Sequence, residues 1–385
     1  MDWPDIAVED LDPASFRPPF CPSASCPQHR LADGSHARFH RHGAYSRLTD
    51  HRRVPRFRCV VCKQTCSQQT FSCTYYLKRP ELGPPIAAAL EAGSAHRQIA
   101  RSLRCAASSV THRAARLGRH AMLLLAHSLA ASPPLDEPLV VDHFESFAFS
   151  QDFPFGIATA VGARSWFVYG LDPAPHGPGG PAIRRSQADP PESRGGYRNS
   201  FSRLLDALVP LAGPQGRLDL ITDGHDAYTS AIEKHPERDR IRHQRFPNPP
   251  RRRKKAPRTA EMRRHDAAMF PVNLLHAILR HTCAHHRRET IAFGRRLNAL
   301  MERMFLTVVW RNFVKRRSER RPNPPVTPAM RRGLAASPWT WGKVLSQRLF
   351  ATRIALPTVW KELYDRSWVT PAVGNNRRHS LVKAY

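Results

Sequence analysis

The sequence predicts a multidomain chain: a small cysteine-bearing ribbon, then a helical module, then an α/β domain with a helical C-terminal extension. Three observations predict it. Two short cysteine loops lie near the N-terminus, a run of brief helical segments joined by tight turns follows, and from residue 137 apolar strand-like stretches alternate with amphipathic ones. The boundaries read as 15–78 for the ribbon, 79–130 for the helices, 137–320 for the α/β domain with a basic loop at 247–264, and 321–385 for a basic extension. A chain of 385 residues has room for one large domain and one or two small ones.

Charge narrows the function classes. Lys and Arg total 60 against 31 acids, a formal +29 spread along the chain. Such an excess favours a polyanionic partner, most simply nucleic acid. A membrane partner is not expected, because no basic helix carries a broad apolar face and the longest apolar run, "AMLLLAHSLAA", is too short to span. The opening "MDWPDIAVEDLDPASF" is acidic and lacks the basic flank of a signal peptide. The expected location is therefore cytoplasmic and nucleoid-associated, where eight cysteines point to metal or free thiols rather than disulfides.

"FCPSASC" and "RFRCVVCKQTC" place Cys21 and Cys26 in one C-x4-C loop and Cys59 and Cys62 in one C-x2-C loop. Two such loops brought together surround a tetrahedral Zn²⁺ with four thiolates, a closed and hence structural zinc ribbon. The alternating aromatic and basic residues between them suit short strands. Cys66 and Cys73, in "QTCSQQTFSC", look like small packed hydrophobes.

Next, Ala87–Ala92 form a helix ended by Gly93, Ser94 can cap a second, and Ile99 and Leu103 share its inner face. A third helix turns Val110, Ala114 and Leu117 inward and leaves Ser109, Thr111, His112, Arg113 and Arg116 as candidate DNA contacts. Short helices of which the last presents polar and basic groups read as a helix-turn-helix suited to a major groove.

Within "PLVVDHFESFAFS", Asp142 stands where a strand hydrophobe is expected, a costly position for a carboxylate without compensation. "FGIATAVGARSWFVYGLDPA" supplies two more strands, "YRNSFSRLLDALVPLAG" a helix, and "LDLITDGHDAY" a fourth strand ending at Asp223. "DAYTSAIEKH" is a helix and "DRIRHQRFP" a fifth strand. Three strands, helix, strand, helix, strand is the order of a ribonuclease H-like domain, in which the first and fourth strands are neighbours and Asp142 meets Asp223. Glu145, three residues further along its strand, faces the other way.

The ribbon, the helices, "VVDHFESF", "ITDGHDAY" and "HHRRETIAFGRRLNALMERMFLTVVWRNFVKRRSER" together resemble the DDE transposases of bacterial insertion sequences, over roughly residues 20–320. "TDG-x-x-x-Y" and "RRETIAF" are the most specific parts. The resemblance implies two aspartates and a glutamate holding a pair of Mg²⁺ (or Mn²⁺) ions, strand cleavage at element ends, and strand transfer into target DNA. It also implies double-stranded DNA as partner and a homo-oligomeric assembly. Oxygen ligands suit Mg²⁺, and no histidine–cysteine set in this region argues for a softer metal.

The third acid is open. Glu302, with Asn298 one turn before it, fits an N-x-x-x-E-R pattern, and Glu289 in "RRETIAF" is the second choice. A different alignment puts the position near Asn273 in "FPVNLLH", where no acid stands, which would make this copy an inactive, transposase-derived DNA-binding protein. The basic loop, with Arg251, Arg252, Arg253, Lys254 and Lys255, is expected beside the catalytic face as a phosphate contact. Beyond it, Phe305, Val308, Val309 and Phe313 read as the inward face of a long helix, with Arg311, Lys315, Arg316 and Arg317 facing phosphates. The tryptophan-bearing tail reads as core packing or subunit contact.

Overall fold

The cysteine loops are spaced by a three-stranded antiparallel sheet in which β2 (Arg53–Cys59) pairs with both β1 (Phe39–Ser46) and β3 (Thr65–Ser67). The computed structural model describes residues 1, 3–31, 37–148, 153–175, 196–250, 257–287, 290, 292–320 and 323–370. One face of this small sheet buries Phe57 and Cys66 with Phe16 and Phe71, so Cys66 packs as a hydrophobe as its sequence context suggests. Cys73 is likewise buried, its thiol 3.1 Å from the Gln347 carbonyl.

Three helices follow: α1 (Gly83–Glu91), α2 (His96–Ser102) and α3 (Ala107–Ala130). The second is capped by Gln98, whose side chain accepts from the Ala95 N–H at 2.8 Å, rather than by Ser94. The third is a single 24-residue helix that runs straight through the "AMLLLAHSLA" stretch. Its length changes the expected domain division. Ile86, Leu90, Ile99 and Val110 belong to the same continuous core as the strands of the α/β unit, so the helical module has no core of its own.

That core surrounds a five-stranded sheet of order β6-β5-β4-β7-β8, built from β4 (Leu139–Phe147), β5 (Pro154–Gly162), β6 (Val168–Pro175), β7 (Leu218–Thr222) and β8 (Ile241–Arg245). The first three are antiparallel neighbours, while β7 lies parallel to β4 and β8 parallel to β7. The first and fourth strands of the domain are therefore adjacent, as the element order predicts. Helices α4 (Gly196–Leu208) and α5 (Asp226–Glu233) pack together and carry Ser200 and Tyr228 to His143 on one face of β4. The other face, with Phe144 and Ser146, is covered by α6 (Ala260–Thr282) and the turn that follows it. The expected basic loop ends earlier than 264, because Thr259 caps α6 by accepting from the Met262 N–H.

α7 (Leu297–Val309) continues into a π-helical turn, Trp310–Val314, that buries Phe305, Val308, Val309 and Phe313 as read from the sequence. Asn312 in that turn brackets Val168 with both halves of its amide, at 2.9 and 3.0 Å. α7 lies against α3 at Gly118, where a Cβ would stand 2.3 Å from the Glu302 carbonyl oxygen. Short helices α8 (Pro328–Arg331), α9 (Trp341–Val344) and α10 (Thr358–Tyr364) follow among the described residues. Trp339 stacks on Trp3, Trp360 donates to the Leu171 carbonyl, and Trp368 is buried, so these tail tryptophans are core. From the same tail the Arg348 N–H reaches the Phe71 carbonyl at 2.8 Å and Arg353 the Leu31 carbonyl at 3.1 Å, tying the ribbon to the body. Among the described residues no helix is long and apolar enough to cross a membrane.

Candidate functional site

Cys21, Cys26, Cys59 and Cys62 bring their sulfurs within 4.8 Å of one another. Cys21 to Cys62 is 3.5 Å and Cys26 to Cys59 is 3.8 Å. A tetrahedron of thiolates about 2.3 Å from a zinc ion has edges of about 3.8 Å. The four cysteines could thus bind a structural metal such as zinc. At Cys59 the surroundings favour thiolate: burial pushes its thiol up, but backbone N–H groups of Cys62 and Val61 outweigh it and bring it down to about 7, whereas burial pushes the Cys21 and Cys26 thiols up. Gln28 adds an N–H 3.0 Å from the same sulfur.

The aspartates are placed by strand register. Leu139 pairs with Leu220 and Val140 with Ile221, so the same register carried two residues on brings Asp142, within β4, level with Asp223, just past the end of β7. The turn after β7 depends on Gly224, whose φ of +86° favours glycine. Burial pushes the Asp142 carboxyl up to about 7, and the neighbouring Asp223 charge adds to the shift. The Asp142 carboxylate still keeps 25% of its surface exposed, so it can be reached. The Asp223 carboxylate accepts from the His225 N–H and the Asn248 amide, each at 3.0 Å.

Tyr228 explains the "TDG-x-x-x-Y" spacing: it is in the first turn of α5, and its hydroxyl returns to β4, 2.7 Å from His143 Nδ1 and 3.4 Å from an Asp142 oxygen. Glu145 faces away, as expected, and accepts from the Tyr197 hydroxyl. On the opposite side of Asp142, α6 brings His276. Its Nδ1 is 3.8 Å from Asp142 Oδ2, its Nε2 is 2.9 Å from the Thr159 hydroxyl, and its ring packs on Phe144. Burial, helped by Arg280, pushes His276 down to about 3, so the ring is neutral. The sequence alone assigns no role to His276 or Thr159; the only signal it offers is a histidine in the "FPVNLLH" stretch where an acid is sought.

Glu302 does not join the aspartates. It is 2% exposed on α7, and its two oxygens accept from Arg366 Nε at 2.8 Å and a terminal Arg366 nitrogen at 2.6 Å, with Arg119 3.8 Å away. Both oxygens are committed to an ion pair that holds α7 and the tail together. The N-x-x-x-E-R pattern thus belongs to a helix whose polar face is internal: Asn298 is also buried and donates to the Trp368 carbonyl. Glu289 and Arg251, Arg252, Arg253, Lys254 and Lys255 lie outside the described residues. Among the described residues only the four cysteines place three or more ligand atoms all within 4.8 Å of one another.

The helix-turn-helix residues divide. Ser109, His112 and Arg113 line an open groove with Lys78 and Arg79, while exposed Thr111 bonds His96 at 3.0 Å on another side of α3. Arg116 lines the same groove, but it is 4% exposed and donates to the Cys73 carbonyl at 2.8 Å, so it also joins α3 to the ribbon. Arg311 is also buried, against Trp166, and does not face solvent.

Comparison of the chain with protein-family models, curated proteins and solved structures returns no match.

Proposed function

We propose that this protein is a DDE-type transposase: a DNA strand-cleaving and strand-transferring enzyme of an insertion element, with a ribonuclease H-like catalytic unit. One observation carries the reading. Register brings two aspartates level at adjacent parallel strands, and burial, with the neighbouring Asp223 charge, lifts Asp142 towards neutrality. A half-buried carboxylate beside a second one is unfavourable alone and favourable around a divalent cation. The residues fit such ions on this ground, and Asp142 and Asp223 would hold them. Bound there, divalent ions supply charge stabilisation to the attacking and leaving oxygens of an in-line displacement at phosphorus.

The protein's own groups do the rest. Tyr228 and His143 fix the Asp142 side of the site, and Gly224 lets the chain turn so that Asp223 ends its strand without obstruction. The groove residues Lys78, Ser109, His112 and Arg113 would hold duplex phosphates, and the excess positive charge would make that hold salt-dependent. A second reading, a transposase-derived DNA binder without activity, is favoured by one fact: Glu302 is locked to Arg366 and supplies no third acid.

A supercoiled-plasmid nicking assay decides between them. The enzyme reading expects divalent-dependent nicking by the native chain, lost in both Asp142→Asn and Asp223→Asn. DNA binding without nicking under any divalent ion overturns it in favour of the binder.

A further inference from the structure

We infer that His276 is the third ligand of the Asp142–Asp223 metal site, a nitrogen donor standing where an acid was sought, and that it biases the site towards manganese- and zinc-like ions over magnesium. The inference rests on the reading of the aspartates as metal ligands and says which further residue completes them.

The tautomer of His276 follows from a count of protons. The Thr159 hydroxyl donates to the Asp142 backbone carbonyl at 3.0 Å. A hydroxyl has one proton, so in its contact with His276 at 2.9 Å it must accept, and His276 Nε2 carries the N–H. In a neutral ring the other nitrogen, Nδ1, is then a bare lone pair. Nδ1 lies 3.8 Å from Asp142 Oδ2, too far for a hydrogen bond. Two electron-pair donors facing each other across that gap fit a cation about 2.1 Å from each, at a wide angle. The N–H donated to Thr159 is the kind of contact that fixes the tautomer and orientation of a ligating histidine.

Position supports the assignment. Asp142 and its His276 contact lie on the face of β4 covered by α6, and the β4–β7 register, carried on, brings Asp223 level with Asp142. Asp223 is held by the Asn248 amide at 3.0 Å, a contact that a shared ion would have to displace. Imidazole nitrogen is a better donor to zinc and other borderline ions than to magnesium, which prefers oxygen. A carboxylate–carboxylate–imidazole set is therefore less selective for magnesium than three carboxylates.

The test is Mn²⁺ binding to the full-length, zinc-loaded chain, followed by titration and by electron spin-echo modulation, which detects a nitrogen coordinated to the bound ion. The expected result is nitrogen modulation in the native chain that disappears in His276→Gln, with Mn²⁺ affinity lowered by at least ~10-fold and Mg²⁺ affinity lowered less. His276→Asp should bind without modulation and reverse the preference towards Mg²⁺, and it carries the test if His276→Gln does not fold. Mn²⁺ bound through Asp142 but with no nitrogen modulation, or with modulation that persists in both variants, overturns the role of His276 and leaves the transposase proposal standing. No Mn²⁺ bound by the native chain overturns both.

Discussion

Replacing Asp142 with asparagine removes a charge that the fold holds at a cost, and the size of that cost can be worked out. The Asp142 carboxyl is raised from 3.8 to about 7, by burial first and by Asp223 second. A folded-state value above the unfolded one means that the folded chain binds the proton more tightly. The associated stability is present below about pH 4 and is lost as pH rises through about 7. Each unit corresponds to about 1.4 kcal/mol, giving an upper bound of roughly 4 kcal/mol by pH 8. A carboxylate with 25% of its surface exposed recovers part of that through solvent, so about half is the working figure. Asp142→Asn should therefore gain about 1–2 kcal/mol over the native chain between about pH 5 and about pH 8, without divalent ions. Urea denaturation at the two pH values measures it. Millimolar Mn²⁺ should shrink the advantage by stabilising only the native aspartate. An advantage that does not change with pH would refute the strained, paired carboxylates on which the site rests.

Three further outcomes are expected. The native chain should contain one equivalent of zinc by elemental mass spectrometry, and Cys59→Ser should lose it and melt at lower temperature; full retention of zinc would count against the cluster. Glu302→Gln leaves Arg366 and Arg119 without their buried counter-charge and should destabilise the chain by about 3–5 kcal/mol. Its Mn²⁺ affinity should not change, and a loss of metal binding at native stability would restore Glu302 as a ligand. His112→Ala combined with Lys78→Ala should lower the salt dependence of DNA binding by about one counterion for each phosphate that is no longer neutralised. Arg116→Ala should instead lower stability and leave that slope as it is, and the reverse pattern would show that the groove is not the DNA face.

How much could be read in advance depended on whether a residue's role was local or distant. β4 to β7 were legible because apolar runs bounded by turns are local signals, while the polar β8 (IRHQR) was read from its place in the element order, as was the adjacency of β4 and β7. Four cysteines in two loops carry their geometry in their spacing. α6 escaped because its polar and apolar residues are mixed around the helix, Pro271 interrupts it, and a dense basic run precedes it. Glu302 misled because nothing near it in sequence reveals Arg366, 64 positions later. Arg116 and Arg311 misled for the same reason: an arginine on a helix reads as solvated until the carbonyl or indole that covers it is known. His276 needed three elements at once, with β4, β5 and α6 each supplying one atom of its surroundings.

The tail contacts at Arg348 and Arg353, with Trp339 stacked on Trp3, tie the ribbon to the rest of the chain. Any polymer gripped at the cysteine end is held at a set offset from the aspartates, as by the jaws of a caliper. Breaking those contacts would free that offset, whereas removing the whole tail would also strip Trp339, Trp360 and Trp368 from the core.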